Sequence, residues 1–182
     1  MPRLFYALWP DAATRAALAT AASRVDVRTA RRVHADDLHL TLTFLGETTA
    51  ADCADLELQP APELPGFTLE FGFCGWWRAS RVAWLAPLST PAALLALQAW
   101  TAAAGLRAGF APEARAFQPH ITVARRVTRV PRASGGFELT WQVTDFALLE
   151  SLAEKQQTRY RVRTTWPLQT APRDETASPS VR

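Results

Sequence analysis

Leu38-His39-Leu40-Thr41-Leu42-Thr43-Phe44-Leu45-Gly46 is the most strongly patterned stretch of this chain. Leucines alternate with other residues through Leu38–Leu45, which predicts a half-buried strand stopped by Gly46. On a strand, residues two apart project from the same face. His39 and Thr41 therefore point together into one space while the leucines face away. A second copy of this frame lies in the other half of the chain, at Pro119-His120-Ile121-Thr122-Val123. Each copy reads His-x-Thr-x with apolar x, and the surrounding strand signals suggest two similar halves. If an approximate twofold relates them, one cleft holds two imidazoles on opposite sides and two hydroxyls between them.

Outward from these strands, Arg3–Trp9 reads as a strand, and Asp11 caps an Ala-rich helix running to about Val25. Ala50–Leu58 forms a short helix stopped by Pro60, Pro62 and Pro65. Phe67–Phe73 and Arg81–Leu85 read as a hairpin-like pair around Gly75-Trp76-Trp77. Ser89 or Thr90 caps a helix ending near Leu106, with Gly109 just beyond it. Ile121–Arg125, Phe137–Leu149 and Arg159–Trp166 complete a strand-rich second half. This order predicts an α+β fold with mainly antiparallel sheets rather than a doubly wound parallel one. No G-x-G-x-x-G or G-x-x-x-x-G-K-[ST] follows any strand, which argues against dinucleotide and P-loop folds. Residues 1–168 are expected to form one domain, and the unpatterned polar segment 169–182 a flexible tail.

Scarcity narrows the chemistry. The 182 residues include three His and two Cys, and Lys155 is the single lysine. That inventory excludes zinc ribbons and multi-metal clusters, and no metal or other cofactor is expected. The net charge of +3 suits a phosphate-bearing partner but not a nucleic-acid-coating surface. The Arg-for-Lys skew has a bland explanation in coding bias. Val82–Leu106 carries no charge but is broken by Pro87 and Pro91, leaving too short an apolar helix to span a bilayer. Without a signal-like N-terminus, and with cysteines that lack a C-x-x-C spacing, the expected location is the cytoplasm.

Paired imidazoles suit a proton relay, because each titrates near neutrality and one can accept a proton while the other donates. Hydroxyls between them suit the non-bridging oxygens of a phosphodiester. In-line displacement at phosphorus sets entering and leaving oxygens on opposite sides, which a twofold pair of histidines matches.

In these motifs the chain resembles the 2H phosphoesterases, and within them the RNA 2′,3′-cyclic phosphodiesterases, also named 2′-5′ RNA ligases. Further matches are Arg3-Leu4-Phe5-Tyr6-Ala7, the Trp77-x-x-Ser80-Arg81-Val82-x-Trp84-Leu85 stretch, Ala124-Arg125, Thr158-Arg159-Tyr160 and Trp166. The resemblance implies a bilobal fold with antiparallel sheets flanking a central cleft and helices outside. It implies that His39 protonates the departing 3′ oxygen and His120 activates water, with Thr41 and Thr122 holding phosphate oxygens. Arg125 matches the family's arginine at the cleft, and Phe44 lines the pocket, stacks on a base or packs in the core. The implied activity is metal-independent hydrolysis of RNA 2′,3′-cyclic phosphate ends to 2′-phosphates, with 2′-5′ ligation in reverse. The implied partners are RNA ends or oligonucleotides bearing a cyclic phosphate, met by a monomer that binds no membrane. Alternatives are a relative acting on 2′-5′ oligonucleotides, tRNA-splicing ends or small cyclic nucleotides, and a non-catalytic RNA-end-binding module. The chain departs from its relatives in the Pro-rich Gln59-Pro60-Ala61-Pro62 segment and in residues 154–157.

Other candidates have plainer readings. His34 lacks a following Thr and reads as a loop residue, and Asp36 and Asp37 as capping or turn residues. Arg28, Arg31 and Arg32, with Arg125, Arg126, Arg129 and Arg132, form basic clusters that serve either as solvated faces or as an RNA-backbone track. Trp76-Trp77 is either turn packing or a stacking platform.

Overall fold

The computed structural model describes residues 2–27, 30–111, 113–133, 137–152 and 160–170. The elements are β1 (Arg3–Leu8), α1 (Ala12–Ser23), β2 (Val25–Asp26), β3 (Arg31–Arg32), β4 (Leu40–Glu47) and α2 (Ala50–Glu57). They continue with β5 (Phe67–Trp77), β6 (Val82–Pro87), α3 (Ala92–Arg107), β7 (Ile121–Arg125), β8 (Arg132–Ala133), β9 (Leu139–Val143), β10 (Asp145–Ser151) and β11 (Tyr160–Pro167). A 3₁₀ turn, Ala35–Asp37, precedes β4.

The main sheet runs β11-β10-β1-β4-β7-β6-β5-β9, with β3 added beside β7, and its strand pairs are antiparallel. It divides into two four-stranded halves that meet between β4 and β7, where Leu40 pairs with Ile121. Exchanging the halves exchanges β4 with β7 and β1 with β6, so the join is the pseudo-twofold axis. The α+β class expected from the sequence is the class observed, with the two antiparallel half-sheets fused edge to edge.

One face of the sheet carries the main core. Leu4, Tyr6 and Leu8 of β1, Leu69 and Phe71 of β5, Leu18 of α1 and Leu94 and Leu97 of α3 are buried there together. α3 lies against β4 and α1 against β9, which puts these helices on the core side. The opposite face holds a smaller apolar cluster of Phe5, Ala7, Ala147 and Leu149. Helix starts follow local chemistry: Thr14 N–H donates to the Asp11 carboxylate at 2.7 Å, and Thr49 and Asp52 form a reciprocal capping box.

Several boundaries differ from expectation for identifiable reasons. β4 starts at Leu40 because the Ala35 carbonyl accepts the Leu38 N–H and holds the preceding turn. It also runs through Gly46, whose φ of +87° accommodates an irregularity opposite Leu4. The N-cap of α3 is Pro91, which offers no side-chain cap, so neither Ser89 nor Thr90 has that role. The expected strand over 137–149 is two strands broken at Thr144, whose carbonyl accepts the Leu168 N–H. Gln169, assigned to the tail, is bonded to Leu64 and Gly66. Arg28, Lys155, residues 154–157, Thr158, Arg159 and the tail from 171 lie outside the described residues.

The β5–β6 hairpin differs most. Its turn is at residues 78–81, and Gly75-Trp76-Trp77 belongs to β5. Gly75 pairs with Trp84, and a Cβ there would come within 2.3 Å of that indole. The glycine marks a place where a ring lies over the strand, not a bend. Gly75→Ala is therefore expected to destabilise the fold by about 1–3 kcal/mol through overpacking, read from denaturant unfolding. Unchanged stability would show that Trp84 can swing aside freely.

Candidate active site

The two His-x-Thr frames enter the sheet at the same point from opposite halves. Leu40 and Ile121 are cross-strand partners. Continuing that antiparallel register sets His39 beside Thr122 and His120 beside Thr41. All four line one cleft of about 880 Å³, as do Phe44 and Arg125. The structure thus gathers every residue that the sequence proposes for the site.

A device repeated in both halves then sorts the following residues. In β4, Ala7 pairs with Thr41 and Tyr6 with Thr43, so Leu42 is an extra, bulged residue. In β7, Trp84 pairs with Thr122 and Ala83 with Ala124, so Val123 is bulged in the same place. Each bulge reverses the alternation. Thr43 turns inward, where its hydroxyl bonds Thr101 of α3 at 2.8 Å, and Ala124 is likewise buried. Phe44 and Arg125, each five residues after its histidine, turn to the cleft side. Strict alternation would have put Phe44 with the leucines; at 55% exposed it is a lining residue. The lobes are alike in His and Thr but present an aromatic ring on one side and a guanidinium on the other.

Both imidazoles are held by the same backbone contact. His39 Nδ1 lies 2.7 Å from the Asp37 carbonyl oxygen, and His120 Nδ1 lies 2.7 Å from that of Gln118. A carbonyl only accepts, so each Nδ1 carries the proton and each Nε2 is left as the base of the neutral ring. The ring of His39 sits 5.1 Å from Phe5, 5.9 Å from Trp9 and 4.9 Å from Tyr160. Arg15 braces this wall, with its guanidinium 5.2 Å over Trp9 and a bond to the Pro10 carbonyl. Among the described residues His120 has one ring partner, Trp77, edge to face at 4.5 Å.

Burial pushes the His39 imidazole down from 6.5 to about 4; the Asp37 carbonyl and charge oppose this, while Arg125 and His120 add to it. Burial also lowers His120, opposed by the Gln118 carbonyl and reinforced by Arg125. The Arg125 guanidinium is thus felt by both rings. Without an anion between them, both histidines are neutral at pH 7.

The remaining candidates fall elsewhere. His34 accepts the Asp36 N–H at 3.3 Å in the turn and is absent from the cleft lining. Asp36 and Asp37 are in the 3₁₀ turn, and the backbone of Asp37 anchors His39. Arg32 donates to the Ala22 and Val25 carbonyls at the end of α1, which is a structural task. Arg31 pairs with Arg125 across β3 and β7. Strand parity separates the two tryptophans: Trp76 packs on the core and Trp77 on His120. Sequence reasoning missed Phe5, Trp9 and Tyr160 as the wall around His39. Phe5 and Tyr160 lie in the Arg3–Ala7 and Thr158–Tyr160 words and Trp9 just beyond the first, but the contact joins three separate strands or loops.

Two imidazoles anchored at Nδ1, with the hydroxyls of Thr41 and Thr122 and the guanidinium of Arg125, around one cleft in this fold define a 2H phosphoesterase, a hydrolase class. Residues 9–155 match the 2′-5′ RNA ligase superfamily, and the chain belongs to that family. It is 38% identical to the RNA 2′,3′-cyclic phosphodiesterase of Escherichia coli over 140 residues, covering 76% of this chain and 80% of the relative. It is 34% identical to the protein of that name from Thermus thermophilus over 179 residues, covering 82% and 81%. Its fold is similar to the crystal structure of E. coli LigT complexed with 3′-AMP, at a TM-score of 0.81 and 34% identity. That likeness covers 92% of this chain and 99% of the other.

The depressed histidines predict a sign. An unfolded chain protonates an ordinary imidazole near 6.5, whereas folded His39 resists until about 4. The unfolded state therefore binds more protons between those values, and stability falls as pH drops through that window. His39→Phe should flatten this part of the stability–pH curve. Nitrogen-15 NMR at pH 7 should show both rings neutral and protonated at Nδ1; an Nε2–H form for either would overturn the assigned anchoring.

Proposed function

We propose that this protein hydrolyses RNA 2′,3′-cyclic phosphate ends to 2′-phosphates without a metal ion. The observation that carries the reading is the meeting of two imidazoles around one cleft, each anchored at Nδ1 by a backbone carbonyl so that Nε2 is the basic atom. Such a pair supplies both the acid and the base that the reaction needs. The substrates named for the relatives support the choice of RNA ends.

The phosphodiester anion sits between the rings, with its non-bridging oxygens on the Thr41 and Thr122 hydroxyls and on Arg125. His120 Nε2 takes a proton from water as the water oxygen bonds phosphorus. The P–O3′ bond breaks in line, and protonated His39 gives its Nε2 proton to the leaving 3′ oxygen. The products are a 2′-phosphate and a 3′-hydroxyl, leaving His120 protonated and His39 neutral. Replacing the water with a 5′-hydroxyl end leaves the phosphate bridging 2′ and 5′ oxygens, which is the ligation. His39 must be charged to act, and the arriving anion opposes the desolvation that keeps it neutral. Its depressed pKa makes the charged ring a strong acid. Phe44 offers a stacking face to the terminal base on the His39 side, where the other lobe offers Arg125 to charge. The enzyme acts as a monomer in the cytoplasm, a location supported by the two free cysteines, Cys53 and Cys74.

Turnover of a 2′,3′-cyclic oligonucleotide should persist in EDTA and leave a 2′-phosphate. His39→Ala and His120→Ala should each lose at least about 100-fold in kcat. Because both rings are depressed in the free protein, kcat/KM should peak on the acid side of 6.5. Full activity in both alanine variants, or loss of turnover in EDTA, would overturn the mechanism.

A further inference from the structure

An aromatic surface leaves the cleft at His120 and continues across the outer strands of the second lobe. Trp77 lies 4.5 Å from His120, Trp84 lies 5.2 Å from Trp77, and Phe73 lies 5.9 Å from Trp84. All three side chains come from β5 and β6, on the side away from the core. Trp77 lines the cleft, whereas Trp84 and Phe73 lie beyond it. Phe73 is 56% exposed, and Leu88, also exposed, packs beside Gly72 at the same end. Burial does not account for such a row, because its far end leaves a large ring in water.

The row is built at some expense to the strands. Gly75 has no side chain, which lets the Trp84 indole lie flat across β5. Gly72 is skipped between Phe71 and Phe73 in the pairing with β6, and this bulge turns Phe73 to the side of Trp84 and Trp77. Cations border the near end: Arg78 and Arg81 in the hairpin turn and Arg125 and Arg126 at the end of β7 are all exposed. Glu70, exposed on β5 beyond Phe73, puts a negative charge at the far end. Aromatic faces flanked by arginines bind successive bases of single-stranded nucleic acid with little regard to sequence.

We infer that Trp77, Trp84 and Phe73 form a stacking surface for the nucleotides preceding the cyclic-phosphate end, so that a single-stranded oligonucleotide is a better substrate than a mononucleotide. The inference rests on the proposed activity and extends it from the reacting group to the chain attached to it. The occupant is RNA because the surface continues directly from the cleft that takes the RNA end, and because arginines border it where phosphates must pass. A basic clamp alone would hold any anion. The rings add a preference for length, since each added base finds a further face until Glu70 is reached.

The test compares 2′,3′-cyclic substrates of one to five nucleotides. In the unmodified protein kcat/KM should climb with length by about 5- to 100-fold and then level off. Phe73→Ala removes an exposed ring that does not touch His120. It should leave the mononucleotide rate unchanged and abolish the last increment, and Phe73→Tyr should restore it. Quenching of tryptophan fluorescence by an unreactive 3′-phosphorylated tetranucleotide gives a readout independent of turnover, and Phe73→Ala should weaken that binding several-fold. No length dependence in the unmodified protein, or equal length dependence and equal quenching in Phe73→Ala, overturns the stacking surface. Mononucleotide turnover that still requires both histidines would then leave the proposed activity standing. Absence of turnover on every cyclic substrate would instead overturn the activity, with the quenching comparison still deciding the surface.

Discussion

The pairing of Leu40 with Ile121 is the contact on which the site depends. It joins two four-stranded half-sheets at their edges and lies on the axis that exchanges them. Antiparallel register does the rest: a histidine precedes each member of the pair and a threonine follows it. The four polar side chains therefore reach one face without any long loop to position them. The other face of the same strands is closed by leucines and by α3. A site built on paired strands holds its geometry better than one built on loops.

Symmetry supplies the acid and the base, and its breaking supplies direction. Both motifs anchor Nδ1 on the carbonyl two residues back, and both are followed by a bulge. Beyond the bulges the lobes differ, with Phe44 opposite the counterpart Arg125. The walls differ too. His39 is enclosed by Phe5, Trp9 and Tyr160, whereas His120 has Trp77 beside it and is less enclosed. Unequal desolvation of two like groups pushes their proton affinities apart, which is how one residue type fills two chemical roles.

The bulges also connect stability to function. An inward Thr43 can bond Thr101 because the chain has slipped by one residue, and the same slip brings Phe44 to the cleft. In β5 the gap at Gly75 serves Trp84 in a similar way, and Trp84 supports the ring that contacts His120. The bulges at Leu42 and Val123 therefore lie at the site, where they re-aim side chains.

The repeated His-x-Thr-x frame, the strand period and the helix cap at Asp11 were legible in the sequence, because each is a local pattern. From them alone followed the α+β class, the two similar halves and the choice of His39 and His120 over His34. The tertiary structure decided what depends on contacts between distant strands. Only pairing with β1 and β6 reveals the slips at Leu42 and Val123, so only the structure turns Phe44 outward with Arg125. Gly75 looks like a turn in the sequence because nothing local shows that Trp84 will lie across it. The depressed imidazoles depend on rings contributed from β1, the loop after it, β5 and β11. Periodicity along one strand encodes which side chains share a face; register between strands decides what they meet there.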